Sequence, residues 1–299
     1  MSDNRLHNLL GDLPVVIDGG YGWLMGDRGL PPGEAAEFWN VDHPDVITAL
    51  HEEYAVAGAR ILTTNTFGGS RARLVASGLA DRTVELNRAA ARLARAVADR
   101  HQVFVAGNVG PTGELLEPLG TLTETDAVEI FAEQVTALRE GGADLILIET
   151  MSDLAEVAAA IEGARRAAPE LPIVATMSFD TNLRTMMGVT PRAAVEALAA
   201  LEIEAVGANC GRGPEEMIQI ATEMAQARGD AGVLLAAQSN AGLPQVAGAG
   251  FVYDVDPAGI AEHGAQLRAL GFELVGSCCG SSAEHTRAIA ERLAAEGRV

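Results

Sequence analysis

Short apolar runs alternate with longer amphipathic segments along the whole chain. Runs rich in Val, Ile and Leu fall at 15–18, 60–66, 103–108, 144–150, 173–179, 205–210, 233–240 and 273–279. Each is continuous enough to be buried on both faces, as strands of a parallel sheet covered by helices are. Between them, segments of helical period lie at 44–57, 82–100, 124–140, 152–167, 191–200, 214–227, 257–270 and 283–296. Thr190 before Pro191 and Asp256 before Pro257 set a capping side chain ahead of a proline at the first helical position. Glycines at or just past helix ends (Gly58, Gly141, Gly142, Gly229, Gly271) suit a left-handed exit. Eight strand–helix units in series predict an α/β fold of the (β/α)8 TIM-barrel type, with a doubly wound open sheet as the alternative. No Pro/Ser-rich linker or low-complexity tract interrupts the series, so one domain over 1–299 is expected.

Barrel enzymes carry their chemistry where strands end and loops begin. Unusual polar residues collect there: Asp18, Thr64 with Asn65, Asn108, Glu149, Ser178 with Asp180, Asn209 with Cys210, Ser239 with Asn240, and Cys278 with Cys279. All three cysteines of the chain belong to this set. A free cysteine taken alone is most often a small buried hydrophobe. Three delivered to one barrel mouth instead describe a catalytic zinc site with an open fourth position. Neighbours on a regular strand point to opposite faces, so Cys278 and Cys279 can share a metal only if the backbone bends; Gly276 and Gly280 flank the pair and permit it.

Composition narrows the chemistry. A formal net charge of −20 argues against nucleic acid or an acidic membrane surface, both of which need clustered basic residues. Every basic side chain apart from histidine is Arg, so Schiff-base chemistry and a lysine-dependent phosphate loop are excluded. Residues 1–14 carry Asp3, Arg5, His7 and Asp12 and lack the apolar run of a signal peptide. An odd number of cysteines fits a reducing compartment, and a cytoplasmic protein is expected. The oligomeric state stays open.

Several spaced motifs together resemble the zinc-dependent homocysteine S-methyltransferases, a family that includes betaine–homocysteine methyltransferase and the homocysteine-binding module of cobalamin-dependent methionine synthase. They are Asp18-Gly19-Gly20, Thr64-Asn65-Thr66-Phe67, Gly107-Asn108-Val109-Gly110-Pro111-Thr112-Gly113, Glu149-Thr150, Gly207-Ala208-Asn209-Cys210 and Gly276-Ser277-Cys278-Cys279-Gly280, followed by Glu284-His285. Phe38-Trp39-Asn40 and Thr176-Met177-Ser178-Phe179-Asp180 resemble the short bacterial proteins similar to betaine–homocysteine methyltransferases. Tyr21 departs from the small residue or Met common in the family, and Ser277 from a common Gly.

The resemblance implies that Cys210, Cys278 and Cys279 hold Zn2+, which activates the homocysteine thiol. A thiol of ordinary pKa, about 8.5, is mostly protonated at neutral pH, and the thiolate is the nucleophile. It further implies that Asp18 and Glu149 hold the substrate ammonium; accepting backbone hydrogen bonds at a helix start is the bland alternative for each. Gly19 and Gly20 would bring backbone N–H groups to a carboxylate, while Asn65, Ser178 and Asn209 border the substrate. Asn108 is expected beside Asn65 and Asn209 as an orienting group, and His285 to be solvated or packed rather than ligating. Tyr21, Trp23 and Trp39, with Phe38, concentrate aromatic side chains in the first loop of a chain with 4% aromatics, which suits either a cage for an onium methyl donor or plain packing. Glycine betaine is the favoured donor. Rival readings are a methyl-corrinoid carried by a separate protein, a non-catalytic zinc- or partner-binding barrel, and a metal-free barrel enzyme holding a phosphate at 276–280.

Overall fold

The computed structural model describes residues 4–12, 14–247 and 250–297. Eight parallel strands, β1 (Val15–Val16), β2 (Ile61–Thr63), β3 (Phe104–Val109), β4 (Leu145–Met151), β5 (Ile173–Met177), β6 (Ala205–Cys210), β7 (Leu234–Ser239) and β8 (Leu274–Ser277), form one sheet. β8 pairs with β1 through Val15↔Leu274 and Val16↔Val275. The ring closes between β1 and β2 through one bridge, Ile17↔Ile61. Arg60 N donates to Val16 O at 2.8 Å and Asp18 N to Ile61 O at 3.2 Å across the same joint. The expected TIM barrel is therefore the observed fold.

Strand periodicity separates two cores. Inward positions Val15, Ile17, Ile61, Ala106, Leu145, Leu147, Val174, Ala205, Ala236 and Leu274 fill the barrel interior. The intervening Val16, Leu62, Val105, Ile146, Ile148, Ala175, Val206, Leu235 and Val275 pack outward against the helices. The inward series turns polar toward the strands' C-terminal ends, at Thr63, Asn108, Glu149, Thr176, Asn209 and Gln238. Two-residue alternation therefore aims these side chains toward the barrel axis at the mouth. At the opposite end, a short helix (Arg5–Leu10) buries Leu6 and Leu10 in the interior core. Asn4 fastens that helix, donating from Nδ2 to Glu204 O (2.9 Å) and Gly232 O (3.2 Å).

Helices α1 (Pro44–Val56), α2 (Thr83–His101), α3 (Glu124–Gly141), α4 (Leu154–Ala167), α5 (Pro191–Ala199), α6 (Pro214–Arg228), α7 (Pro257–Ala269) and α8 (Ala283–Ala295) follow the strands in turn. Their starts are those the sequence signals: Thr190 accepts from Ala193 N and Asp256 from Gly259 N. Gly58, Gly142, Gly229 and Gly271 take φ of +103°, +105°, +50° and +92°, while Gly141 is the last residue of α3. One element was unforeseen. An antiparallel hairpin, Gln245–Ala247 with Gly250–Val252, sits in the loop after β7, where the Ala- and Gly-rich sequence gives no alternating pattern. Among the described residues, no helix is long and apolar enough to cross a membrane.

Candidate metal centre and substrate cavity

Local backbone geometry at two strand ends builds the centre. Along β6, Asn209 points inward and strict alternation would turn Cys210 away. Cys210 instead adopts φ +60°, followed by Gly211 at +74°, and its Sγ joins the other two cysteines. A left-handed conformation at a non-glycine residue is a strained arrangement, of the kind that collects at functional sites. β8 ends at Ser277, so Cys278 and Cys279 lie in the turn beyond it, as the bend between the glycines requires. Gly280 at φ +80° turns the chain under the Tyr253 ring, whose Cγ would stand 2.1 Å from an added Cβ. Gly20 approaches from the first loop, where an added Cβ would stand 2.7 Å from Cys278 O. Asn240 ties the two ligand-bearing turns together: its Oδ1 accepts from Cys279 N (3.0 Å) and its Nδ2 donates to Gly211 O (2.7 Å).

The three Sγ atoms lie within 4.8 Å of one another, Cys210 to Cys278 at 3.1 Å and Cys278 to Cys279 at 4.0 Å. Zinc bonded tetrahedrally at about 2.3 Å separates its sulfurs by roughly 3.8 Å, within this spread. The donor set fits zinc. Hydrogen bonds from Cys210 and Cys278 pull the Cys279 thiol down to about 3, against burial. Cys278 is pushed well up by its hydrogen bonds to Cys210 and Cys279 and by burial. Metal binding displaces the protons that the thiols carry.

Beside the cysteines lies a cavity of about 250 Å³ lined by Gly19, Gly20, Tyr21, Trp23, Glu37, Asn65, Phe67, Asn108, Glu149, Thr150, Gln238 and the three cysteines, among others. A register shift in β4 between Ile148 and Met151, with Thr150 at φ +58°, sets Glu149 at its wall. Glu149 accepts from Asn108 Nδ2 at 2.7 Å. Burial pushes its carboxyl up to about 7, Asn108 opposes this, and the Asp18 and Cys279 charges add to it. Asn209 braces the bulge: Oδ1 accepts from Thr150 N (2.8 Å) and Thr176 Oγ1 (2.7 Å), and Nδ2 donates to Thr150 Oγ1 (2.7 Å).

Asp18 is fully buried. Its Oδ2 accepts from Thr63 N (2.6 Å) and Tyr21 OH (2.7 Å), and its Oδ1 from Thr63 Oγ1 (2.9 Å). Burial raises this carboxyl to about 7 even though all three hydrogen bonds pull it down.

The structure brings Gly19, Gly20, Tyr21, Trp23, Asn65 and Glu149 to the cavity with the cysteines, and sets Asp18 behind Tyr21. Asn209 stands behind the wall as a brace. Two expectations need correction. Trp39 is 4% exposed and packs with Met25, Ile47 and Leu50, with Nε1 donating to Glu34 Oε1 (3.0 Å), so it is core rather than a donor contact. Ser178 does not line the cavity; its backbone N donates to Met151 O at 2.9 Å as β5 leaves the sheet. The N–H of Gly20 is also engaged within the protein, by Ser281 Oγ at 3.2 Å. His285 accepts from Ser282 N through Nδ1 at 3.2 Å and caps α8, consistent with a packing role.

Sequence reasoning missed Glu37, Gln238, His51 and Tyr253. Gln238 was readable as an inward strand position; the others sit in loops or mid-helix without a local signal.

A parallel barrel with three thiol ligands converging at its C-terminal mouth defines a metal-dependent barrel enzyme. The family model described as homocysteine S-methyltransferase matches residues 15–293, and the chain belongs to that family of S-methyltransferases. Methionine synthase of Mycobacterium leprae is 31% identical over 98% of this chain, and that of Mycobacterium tuberculosis 33% identical over 86%. The chain spans about a quarter of the length of these curated relatives, 25% and 22%. The homocysteine methyltransferase MmuM from Escherichia coli, in its metallated form, superposes with a TM-score of 0.80 at 22% identity, covering 97% of this chain and 100% of that one. Its oxidized form gives 0.79. At that identity the likeness establishes the fold. The cysteine triad is of the kind that holds zinc in this family.

Proposed function

We propose that the chain, as one homocysteine-binding barrel over 1–299, transfers a methyl group from an onium donor to the homocysteine thiolate and releases methionine. The observation that carries this reading is the cysteine triad sharing one cavity with Glu149 in a chain of this family. Zinc bound in the triad supplies positive charge that keeps the acceptor sulfur ionised near neutral pH. Cys210, Cys278 and Cys279 together outweigh that charge by one, which leaves the acceptor sulfur electron-rich. Glu149 in the wall and Asp18 behind Tyr21 hold the substrate ammonium, whose donors match acceptor-only carboxylates. Asn108 and Asn209 fix Glu149 and Thr150. Tyr21 and Trp23 present aromatic faces to a donor cation. The S–CH3 bond forms as the onium–CH3 bond breaks, and the bonding pair leaves with the neutral amine or sulfide.

Glycine betaine is the donor favoured by the resemblance. Proton NMR of the zinc-loaded protein with homocysteine and a pool of glycine betaine, dimethylsulfoniopropionate, S-methylmethionine and S-adenosylmethionine tests this. Methionine formed with loss of one donor's methyl signal names the donor; no homocysteine binding sinks the reading.

A second reading, a methyl-corrinoid delivered by another polypeptide, is favoured by one observation. Leu115, Leu119, Met186, Leu243 and Val252 are exposed in loops that follow β3, β5 and β7, on the face where the cavity opens. Inert onium donors with turnover on methylcobalamin would select this reading.

A further inference from the structure

Tyr21 does more than line the cavity. Its hydroxyl stands between Asp18 Oδ2 at 2.7 Å and Nδ1 of His51 on α1 at 2.8 Å. His51 is fully buried, and its Nε2 has no partner. Burial lowers this imidazole to about 3, so the ring is neutral and carries one N–H.

Two proton arrangements satisfy the contacts. In the first, His51 Nδ1–H donates to Tyr21 O, Tyr21 O–H donates to Asp18, and Asp18 is a carboxylate. In the second, a protonated Asp18 donates to Tyr21, Tyr21 donates to His51 Nδ1, and the imidazole proton moves to Nε2. The second strands a buried N–H donor without an acceptor; the first leaves only a bare lone pair at Nε2. An unmet buried donor carries the larger penalty, so the chain of three side chains has a preferred direction. It runs from histidine to carboxylate.

We infer that Tyr21 and His51 are positioning residues that hold Asp18 as an oriented anion for the ammonium of homocysteine. This rests on Asp18 having that role. Thr63 N and Oγ1 also donate to Asp18, at 2.6 and 2.9 Å, and these two bonds are common to every variant compared below, whereas the remaining groups facing Asp18 supply no donor. Tyr54 on α1 spends its hydroxyl on Gly20 O at 2.8 Å, and Glu149 on β4 carries the same charge as Asp18 and opposes its ionisation. Burial pushes the Asp18 carboxyl up and the hydrogen bonds from Thr63 and Tyr21 pull it back, to about 7, so the Tyr21 donor acts where protonation is in the balance at neutral pH.

The test compares Tyr21→Phe, His51→Leu and His51→Asn, each zinc-loaded, by calorimetric titration with homocysteine and by pH profiles of kcat/KM for homocysteine. Loss of one hydrogen bond to a charged group predicts about a tenfold rise in Kd at pH 7 for Tyr21→Phe, and an acid limb moved up by about one pH unit. For His51→Leu, which lies outside the cavity lining, the loss falls on KM for homocysteine rather than on kcat, because ground-state binding is what is lost. His51→Leu moves the limb the same way, and His51→Asn, whose amide N–H replaces Nδ1–H, returns it. The contribution of the zinc-bound thiol is common to all these proteins and drops out of the comparison. Acid limbs unmoved in both Tyr21→Phe and His51→Leu overturn the inference, whatever happens to their melting temperatures. Wild-type homocysteine affinity in Asp18→Asn would instead remove the reading on which it rests.

Discussion

Replacing Gly20 by Ala tests the packing of the metal centre with one methyl group. The new Cβ would stand 2.7 Å from Cys278 O, 3.3 Å from Cys278 C and 3.4 Å from Cys279 Cα, all main-chain atoms of the ligand-bearing turn. The nearest approach is about 0.7 Å short of ordinary contact, and backbone cannot swing aside as a side chain does. The turn is also pinned, with Cys278 N donating to Ser239 O at 2.8 Å and Ser281 Oγ to Cys278 O at 2.6 Å. Overpacking of this kind costs about 1–3 kcal/mol. If relief comes from shifting Cys278 and Cys279, the cost appears as zinc affinity weakened by about 5- to 150-fold. Competition against a chromophoric chelator at fixed pH measures it, and the melting temperature of the chelated protein shows any share taken by the fold. Gly22→Ala is the control: nothing lies within 4 Å of its added Cβ, so its zinc affinity stays at the wild-type value. Zinc affinity and apo stability both at wild-type values in Gly20→Ala would refute the close approach.

Other perturbations probe the carboxylates and their supports. Asp18 and Glu149 sit near 7 in the fold, above their ordinary 3.8 and 4.5, so the folded protein holds more protons than the unfolded chain between those values. Stability from these two groups is therefore full below about pH 4 and lost as pH rises through 7, by about a few kcal/mol. Cys279, depressed to about 3, contributes in the opposite direction, so the quantity to measure is the difference between metal-free wild type and Glu149→Gln. The variant should gain stability relative to wild type from pH 5 to pH 8 in chemical denaturation; a constant difference would contradict the assignment. Asn209→Ala leaves Thr150 N–H without its acceptor and Thr150 without its brace, at about 1–3 kcal/mol, with methyl transfer lowered by misplacement of Glu149 and Cys210. Unchanged stability and turnover in that variant would mean the bulge holds itself.

The eight strands and eight helices were readable because each strand is a continuous apolar run and the helices carry proline, capping and glycine signals at their ends. The cysteine triad was readable once the barrel placed 210, 278 and 279 at one mouth. What escaped reading depended on orientation. Trp23 and Trp39 share a loop and a composition, yet Trp23 lines the cavity, with Nε1 donating to Ser281 O at 2.9 Å, and Trp39 turns into the core. Nothing local to Cys210 or Thr150 announces a left-handed backbone, because that geometry is imposed by the neighbouring strands. His51 reads as one more helical residue, and only the fold sets it against Tyr21.

The joint between β1 and β2 is the shortest in the ring, and the Asp18 carboxylate reaches across it to Thr63 N and Oγ1. The clasp of the cylinder is thus the side chain proposed above to hold the acceptor ammonium. Under that proposal a ligand bound there would staple the seam, and occupancy and ring closure would be linked, so the fold would tighten against unfolding as substrate accumulates.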